Sequence, residues 1–321
     1  MNEKYRPLIA TIGVFLALFA TGGMLYNNFL STLVLGNILT DQAYIIIVAI
    51  GTTFVIISGG IDLSVGSMVG FVGVVMANMD AAGWHPLVSA ALMLGFGTIF
   101  GMLQGLVIDF CEIQPFIVTL GGLFMLRGSC FMVNLDAVPI RNDFVDKFAN
   151  VAIAIPSGGV ISSSAMVMFV ALFAAIIIAH FTKFGTNVYA MGGDPTSAAL
   201  MGVPMRKTTM GIYGLGGFYS ALGGVIYALY TSSGYPLAGT GNELTAIAAV
   251  VLGGTLLTGG VGMVAGTLFG GMILGLIATL INFNGSLNGA WIMITSGVLL
   301  FIFIVLQRFL VGSLRMGSTS A

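Results

Sequence analysis

The chain has 321 residues, of which 58% are hydrophobic and only 7% charged, with a formal net charge of −1. A soluble domain carries about 25% charged residues, so this composition cannot cover a water-facing surface and excludes a soluble enzyme or binding domain. The thin charge forms no basic cluster, which points to neither nucleic acid nor an anionic membrane surface as a partner; Cys111 and Cys130 form no CxxC pair and no metal spacing with a histidine.

A bilayer core of roughly 30 Å takes about 20 apolar residues per helical span, and such runs recur from end to end. Lys4 and Arg6 precede a run that continues to about Leu25 without a small-residue cleavage site, so it reads as a retained first helix. The apolar runs place spans at residues 8–26, 43–58, 65–80, 87–108, 116–134, 163–181, 208–230, 244–258, 261–282 and 290–308. The expectation is an all-α polytopic membrane protein of about ten transmembrane helices, a single transmembrane domain over residues 1–321. Spans 43–58 and 244–258 would reach only about 22 Å as helix and are expected to stop short or break inside the membrane.

Glycine pairs stand at those two places. Ser58 to Gly66 aligns with Leu252 to Gly260, so Gly59-Gly60 corresponds to Gly253-Gly254, with Thr255 following. Irregular backbone at membrane depth either lines a cavity or lets helices approach closely through small residues, and both readings stay open. Asp62 and Ser64 precede an apolar helix, where they suit N-capping, with ligand contact as the alternative. Gln104, Asp109, Glu112 and Gln114 cluster around the next turn on the same side. Arg127 falls about 16 Å along its span, near the midplane. An arginine there must face the protein interior and find a partner: it either lines a passage and hydrogen-bonds a polar solute or ties helices together through buried carbonyls.

Two polar loops are sizeable. In Leu135 to Ser164, the charges Asp136, Arg141, Asp143, Asp146 and Lys147 interleave with Val138, Pro139, Ile140 and Phe144. That mixture suits reversible docking of a soluble protein, and an ordinary solvated loop explains it equally. In Thr182 to Lys207, Asp194 has the side chain of an N-cap, Pro195 suits the first helical position and Gly202 an αL stop, so a short helix is expected over Pro195 to Met201. Two turns are unstable alone; Ala198, Leu200, Met201 and Val203 offer an apolar patch for a partner surface or for neighbouring loops.

With the N-terminus inside, ten spans put Lys4, Arg6, Lys183, Arg206, Lys207, Arg308 and Arg315 in the cytoplasm and Arg141 and Lys147 outside. That asymmetry follows the positive-inside rule, with both termini cytoplasmic. The four lysines follow Glu3, Asp146, Thr182 and Arg206, so there is no Gly-Lys pair and no P-loop. If ATP drives this protein, a separate chain must hydrolyse it and press on the cytoplasmic loop. His85 and His180 have no pattern that would hold zinc, and no cofactor or metal is expected on this chain.

Taken together, Ile57 to Ser67 (ISGGIDLSVGS), Thr119 to Gly122 (TLGG), Phe184-Gly185 with Tyr189 to Asp194 (YAMGGD) and Val251 to Thr255 (VLGGT) resemble the monosaccharide permeases of ABC importers, the ribose, galactose and galactofuranose group. The likeness runs over essentially the whole chain in the same order. Within the group the chain is most similar to the second permease of the galactofuranose importer, through stretches such as Cys111 to Gly128, Gly234 to Gly239, Ile281 to Phe283 and Phe301 to Arg308. The resemblance implies an inner-membrane importer with a second homologous permease as heterodimer partner, an ATPase using ATP and Mg, and a periplasmic sugar-binding protein. It implies that Tyr189 to Gly202, including Gly192 and Gly193, is the coupling region, reinforced by Arg206, though without the Glu-Ala-Ala motif of other importers. Gly59, Gly60, Asp62, Ser64, Arg127, Gly253, Gly254 and Thr255 are the expected channel or structural residues.

Overall fold

The computed structural model describes the backbone of residues 6–155, 158–285, 287 and 289–317, and the side chains of these except 6, 7, 304 and 306–317. Lys4 and the side chains of Arg6, Arg308 and Arg315 lie outside the described residues. The elements are α1 (Arg6–Leu25), α2 (Thr32–Ile57), α3 (Val65–Ala81), α4 (Pro86–Phe110), α5 (Pro115–Val133), β1 (Val138–Pro139), α6 (Asp143–Asn150), β2 (Ala152–Ala154), β3 (Val160–Ser162), α7 (Ser163–Phe181), α8 (Lys183–Gly193), α9 (Pro195–Leu200), α10 (Met205–Thr231), β4 (Ser233–Gly234), α11 (Asn242–Leu252), α12 (Val264–Asn284) and α13 (Ala290–Gly317). Among the described residues, seven helices are long and apolar enough to cross a membrane, and three shorter apolar helices, α3, α11 and the Ala290–Phe303 part of α13, stand where further spans are expected.

Helix α2 is the central post. It is buried almost continuously from Ala43 to Ile57, and α7, α10, α11 and α12 pack around it. Its length corrects the expectation of a short span over 43–58: it starts eleven residues earlier, where Ser31 caps it by accepting the Val34 N–H at 3.3 Å, and its 26 residues reach about 39 Å. The polar residues that looked like a break are matched by neighbours. Thr40 donates to the Gly36 carbonyl, and Asp41 accepts from the Tyr230 hydroxyl at 2.8 Å. Helix α11, by contrast, is only 11 residues long, shorter still than expected.

Small residues set the closest packing. Gly97, Gly101 and Gly105 repeat every four residues along α4 and face Gly217, Tyr213 and Met210 of α10; a Cβ at Gly101 would run into the Tyr213 carbonyl, and one at Gly217 into that of Gly97. With no hydrophobic drive between helices in lipid, such backbone approach is what holds spans together.

The helices α2 and α11 end identically. Ser58, Gly59 and Gly60 donate their N–H groups to Phe54, Ile56 and Val55, while Gly253, Gly254 and Thr255 donate to Ala249, Val251 and Val250. Gly59 (φ +85°) and Gly254 (φ +88°) take the left-handed position of this closure, which glycine adopts without a Cβ penalty. The equivalent pairs are therefore Ser58 with Gly253 and Gly59 with Gly254, one residue away from the alignment read off the sequence.

The two polar loops sit at opposite ends of α2. At its start, the Gly159 N–H donates to Thr32 Oγ1, beside the antiparallel β2–β3 hairpin. At its end, the α8 backbone meets Ile57. The 135–164 segment is no bare loop: β1 pairs with β4 (Val138 with Gly234), α6 is capped by Asn142, and Ile140 and Val145 are buried in a core cluster with Met68, Val72 and Leu229.

Candidate functional site

The segment after α7 folds as two helices rather than one. Thr182 Oγ1 accepts the Gly185 N–H and starts α8; Asp194 then ends α8 and starts α9. Its Oδ1 accepts the Thr196 and Ser197 N–H groups at 2.9 and 3.4 Å, and its Oδ2 accepts the Ser197 hydroxyl at 2.8 Å. The Ser197 hydroxyl first, and then the two backbone donors, hold this exposed carboxyl below the usual carboxylate range. Pro195 is the first residue of α9, and Gly202 (φ +83°) follows it as the αL residue. Within the expected apolar patch, Ala198 is fully buried, whereas Leu200 and Met201 are 85% and 73% exposed. These two side chains form an apolar knob that the described residues leave largely uncovered.

Beneath this helix pair, three glycine-rich segments meet at one point. Gly260, in the break between α11 and α12, donates its N–H to the Ile57 carbonyl at the end of α2, at 2.8 Å. A Cβ on Gly192 of α8 would run into that same carbonyl and would stand 2.6 Å from the Gly260 nitrogen. A Cβ on Gly259 would meet Gly59 N at 2.9 Å, and one on Gly260 would meet Gly193 Cα at 2.9 Å. Tyr189 adds a tie, its hydroxyl donating to the Gly262 carbonyl at 2.9 Å. Burial pushes this phenol up to about 12, so it remains a donor at neutral pH. The α8 backbone is thus in close contact with both helix breaks.

Asp62 and Ser64 do not cap α3 as expected. Ser64 makes no side-chain capping bond; instead Asp62 Oδ1 accepts both the Ser64 N–H (2.8 Å) and the Ser64 hydroxyl (2.7 Å). Gln104 Oε1 lies 3.3 Å from that hydroxyl, which has one proton to give, and the shorter bond takes it. The carboxyl is buried, as are the Gln104 amide nitrogen and the Tyr213 hydroxyl, both without a hydrogen-bond partner among the described residues. Neither Gln104 nor Tyr213 stood out as a partner of Asp62 in the sequence, because α4 and α10 bring them there from about 40 and 150 residues away.

Half-buried Arg127 reaches from α5 to the loop before α11, Nη1 donating to the Pro236 and Ala238 carbonyls at 2.6 and 2.8 Å. Gly70 of α3 makes room for it, since a Cβ there would stand 2.9 Å from Nη1. One turn earlier, Gly66 makes room for Glu243, whose Oε1 accepts the Gly241 N–H. Glu243 carried no signal in the sequence. Thr255 is fully buried beside Gly262, and a Cβ on Gly253 would stand 2.6 Å from Gly266.

At the other end of α2, Asp136, Arg141, Asp143, Asp146 and Lys147 are all exposed. Asp143, Asp146 and Lys147 line a depression of about 610 Å³ with Asn150 and Val151. Ile140, expected among its apolar contacts, instead faces inward. Asp80, unremarked in the sequence, fixes the segment by accepting the Arg141 N–H at 2.9 Å and the Asn142 amide at 3.1 Å.

Residues 34–305, from the first turn of α2 to α13, match the model of a family described as branched-chain amino acid transport system / permease component. The chain belongs to this permease family. Among relatives, the permease is 48% identical to the inner membrane ABC transporter permease protein YjfF of Escherichia coli (strain K12), over 96% of this chain and 93% of the relative. It is 33% identical to the fructose import permease protein FruG of Bifidobacterium longum (strain NCC 2705), over 96% and 92%. It is 36% identical to the ribose import permease protein RbsC of Escherichia coli (strain K12), over 95% and 94%. No solved structure matches. The permease match spans α2, both helix breaks and the α8–α9 pair, so the glycine junction lies wholly inside it.

Proposed function

We propose that this permease is one of two membrane subunits of an ATP-driven importer that carries a monosaccharide, galactofuranose, into the bacterial cytoplasm. Both termini are cytoplasmic, and the partners are a second homologous permease, an ATPase that uses ATP and Mg, and a periplasmic sugar-binding protein. The names of the relatives support a sugar, since they import fructose and ribose. The observation that carries the reading is the junction of Gly192 with Ile57 and Gly260. A chain without a P-loop must receive mechanical work from outside, and here an exposed helix pair is wedged against both helix breaks.

In this reading the knob of Leu200 and Met201, with Tyr189, Gly192, Gly193, Asp194, Pro195, Ala198, Gly202 and Arg206 behind it, receives the ATPase. Its movement tilts α8, and through the junction it shifts the ends of α2 and α11. Such a shift favours one of two openings that differ by a few kcal/mol. Asp136, Arg141, Asp143, Asp146 and Lys147 at the far end receive the binding protein, and Gly59, Gly60, Asp62, Ser64, Arg127, Gly253, Gly254 and Thr255 shape the passage.

Purification of the intact complex tests this. An ATPase, a second permease and a binding protein co-purify, and galactofuranose presented by its binding protein stimulates ATP hydrolysis. Stimulation by ribose or fructose alone would move the substrate assignment. Uptake that needs an ion gradient and no ATP would turn attention to buried Asp62, the kind of carboxyl on which ion-coupled transport relies.

A further inference from the structure

An apolar groove of about 570 Å³ runs between the α4–α10 pair and α7, lined by Met102 of α4, Ile178 of α7, Phe184 of α8 and Gly211, Leu215 and Phe218 of α10. It exists because α7 packs on α2, α6, α8 and α12 rather than against α4, and because Gly211 and Gly214 put no side chain into the gap. Its two threonines offer a ligand no donor, since Thr98 donates to the Leu94 carbonyl and Thr182 to that of Ile178. The far end is closed where the Tyr219 hydroxyl donates to the Ala171 carbonyl at 3.0 Å, tying α10 to α7.

The groove is open at the end bearing α8. On α10 the lining runs from Gly211 to Phe218, two turns of helix or about 10 Å. Two exposed lysines stand at its mouth. Lys207 is one turn before Gly211 on the same face of α10, and Lys183 lies between the lining residues Thr182 and Phe184. Neither is paired with a carboxylate among the described residues. Asp109 and Glu112 flank the end of α4 beside Phe110, whose ring is covered by the Arg206 guanidinium at 5.3 Å, which leaves Lys183 and Lys207 as the unpaired cations of the mouth.

We propose that this groove is a binding site for one acyl chain of an anionic phospholipid, with the phosphate held by Lys183 and Lys207. The apolar walls suit the upper part of a chain entering from one leaflet, and the charges select the headgroup. A Cβ on Gly211 would meet Phe184 at 2.7 Å, so a chain lying here wedges against the root of α8 and steadies the helix pair that leads to the glycine junction. The lysines stand 24 residues apart in sequence, one beside the lining residues Thr182 and Phe184 and the other a turn before Gly211.

Native mass spectrometry of the intact complex, purified and then exposed to equal amounts of phosphatidylglycerol and phosphatidylcholine, tests the site. The wild type retains phosphatidylglycerol. The Lys183→Gln/Lys207→Gln variant retains it less, by about fivefold for each lysine, while Arg141→Gln/Lys147→Gln at the opposite end changes nothing. Leu215→Trp, which fills the groove without touching charge, also lowers retention, and the wild-type competition requires no variant to fold. Equal retention of the two lipids by the wild type, or undiminished phosphatidylglycerol on the lysine variant, overturns the proposal. So does efficient cross-linking of a cysteine at position 215 to the second permease, which would show protein covering the groove.

Discussion

Gly192 of α8 stands so close to the carbonyl of Ile57 at the end of α2 that no side chain fits between them. A methyl group on its neighbour Gly193 would have no atom within 4 Å. The pair is its own control. Gly192→Ala must push α8 off both helix breaks, at about 1–3 kcal/mol for overpacking, and is expected to lower the unfolding temperature and uncouple ATP hydrolysis from uptake. Gly193→Ala meets nothing and, at the last residue of α8, gains only part of the propensity of an interior site, so uptake and unfolding temperature hold or rise slightly. Equal behaviour of the two variants would refute a tight junction.

The exposed knob separates coupling from folding. Leu200→Asp and Met201→Asp put charge on side chains that are 85% and 73% exposed, so thermal stability of the permease stays close to the wild type while ATPase co-purification and sugar-stimulated hydrolysis fall. A loss of stability with intact coupling would assign the knob to the permease's own packing.

Asp194 gives a pH dependence with a definite sign. Its folded-state value lies below the ordinary 3.8, so its contribution to the α9 start is complete above that value and is lost as pH falls through the depressed folded value. Hydrogen exchange at the Thr196 and Ser197 amides is expected to stay slow down to that ordinary value and to accelerate only in stronger acid, relative to the intrinsic rates. Asp194→Asn keeps a capping oxygen and removes this acid transition, whereas Asp194→Ala exposes those amides at neutral pH.

The ten-helix layout was legible because a bilayer imposes one rule on every span, and long charge-free runs obey it wherever they fall. Single residues were harder. The start of α2 was hidden by the polar residues Asn37, Thr40, Asp41 and Gln42, of which Thr40 bonds Gly36 and Ser162 and Asp41 accepts from Tyr230 of α10; α8 was hidden by Gly185, Gly192 and Gly193, poor helix formers overruled by tertiary packing. The cap at Asp194 and the stop at Gly202 are local chemistry, and local chemistry can be read from neighbours in sequence. The meeting of Gly192, Ile57 and Gly260 depends on three segments up to about 200 residues apart, and Gln104, Tyr213 and Glu243 likewise gain meaning only when helices converge.

Arg127 makes both of its described bonds through one nitrogen, Nη1, to Pro236 and Ala238. An ammonium has three donors, so Arg127→Lys is expected to keep most of the stability. Arg127→Met leaves two carbonyls without their donor, at about 1–3 kcal/mol for each that stays buried. Denaturant or thermal unfolding of the reconstituted permease distinguishes the variants, and a lysine variant as damaged as the methionine one would show that the planar guanidinium is needed.

Two tyrosines make opposite forecasts from the same deletion. The Tyr189 hydroxyl donates to the Gly262 carbonyl and bridges α8 to the second helix break; Tyr189→Phe is expected to cost about 0.5–1.5 kcal/mol and to weaken coupling. The Tyr213 hydroxyl is buried with no partner among the described residues, and an unsatisfied buried polar group is itself destabilising. Tyr213→Phe should therefore leave the unfolding temperature unchanged or raise it, with the ring still filling the space beside Gly60. If it instead lowers stability as Tyr189→Phe does, the Tyr213 hydroxyl has a working partner, and buried Asp62 is the group to test by Asp62→Asn in the same background.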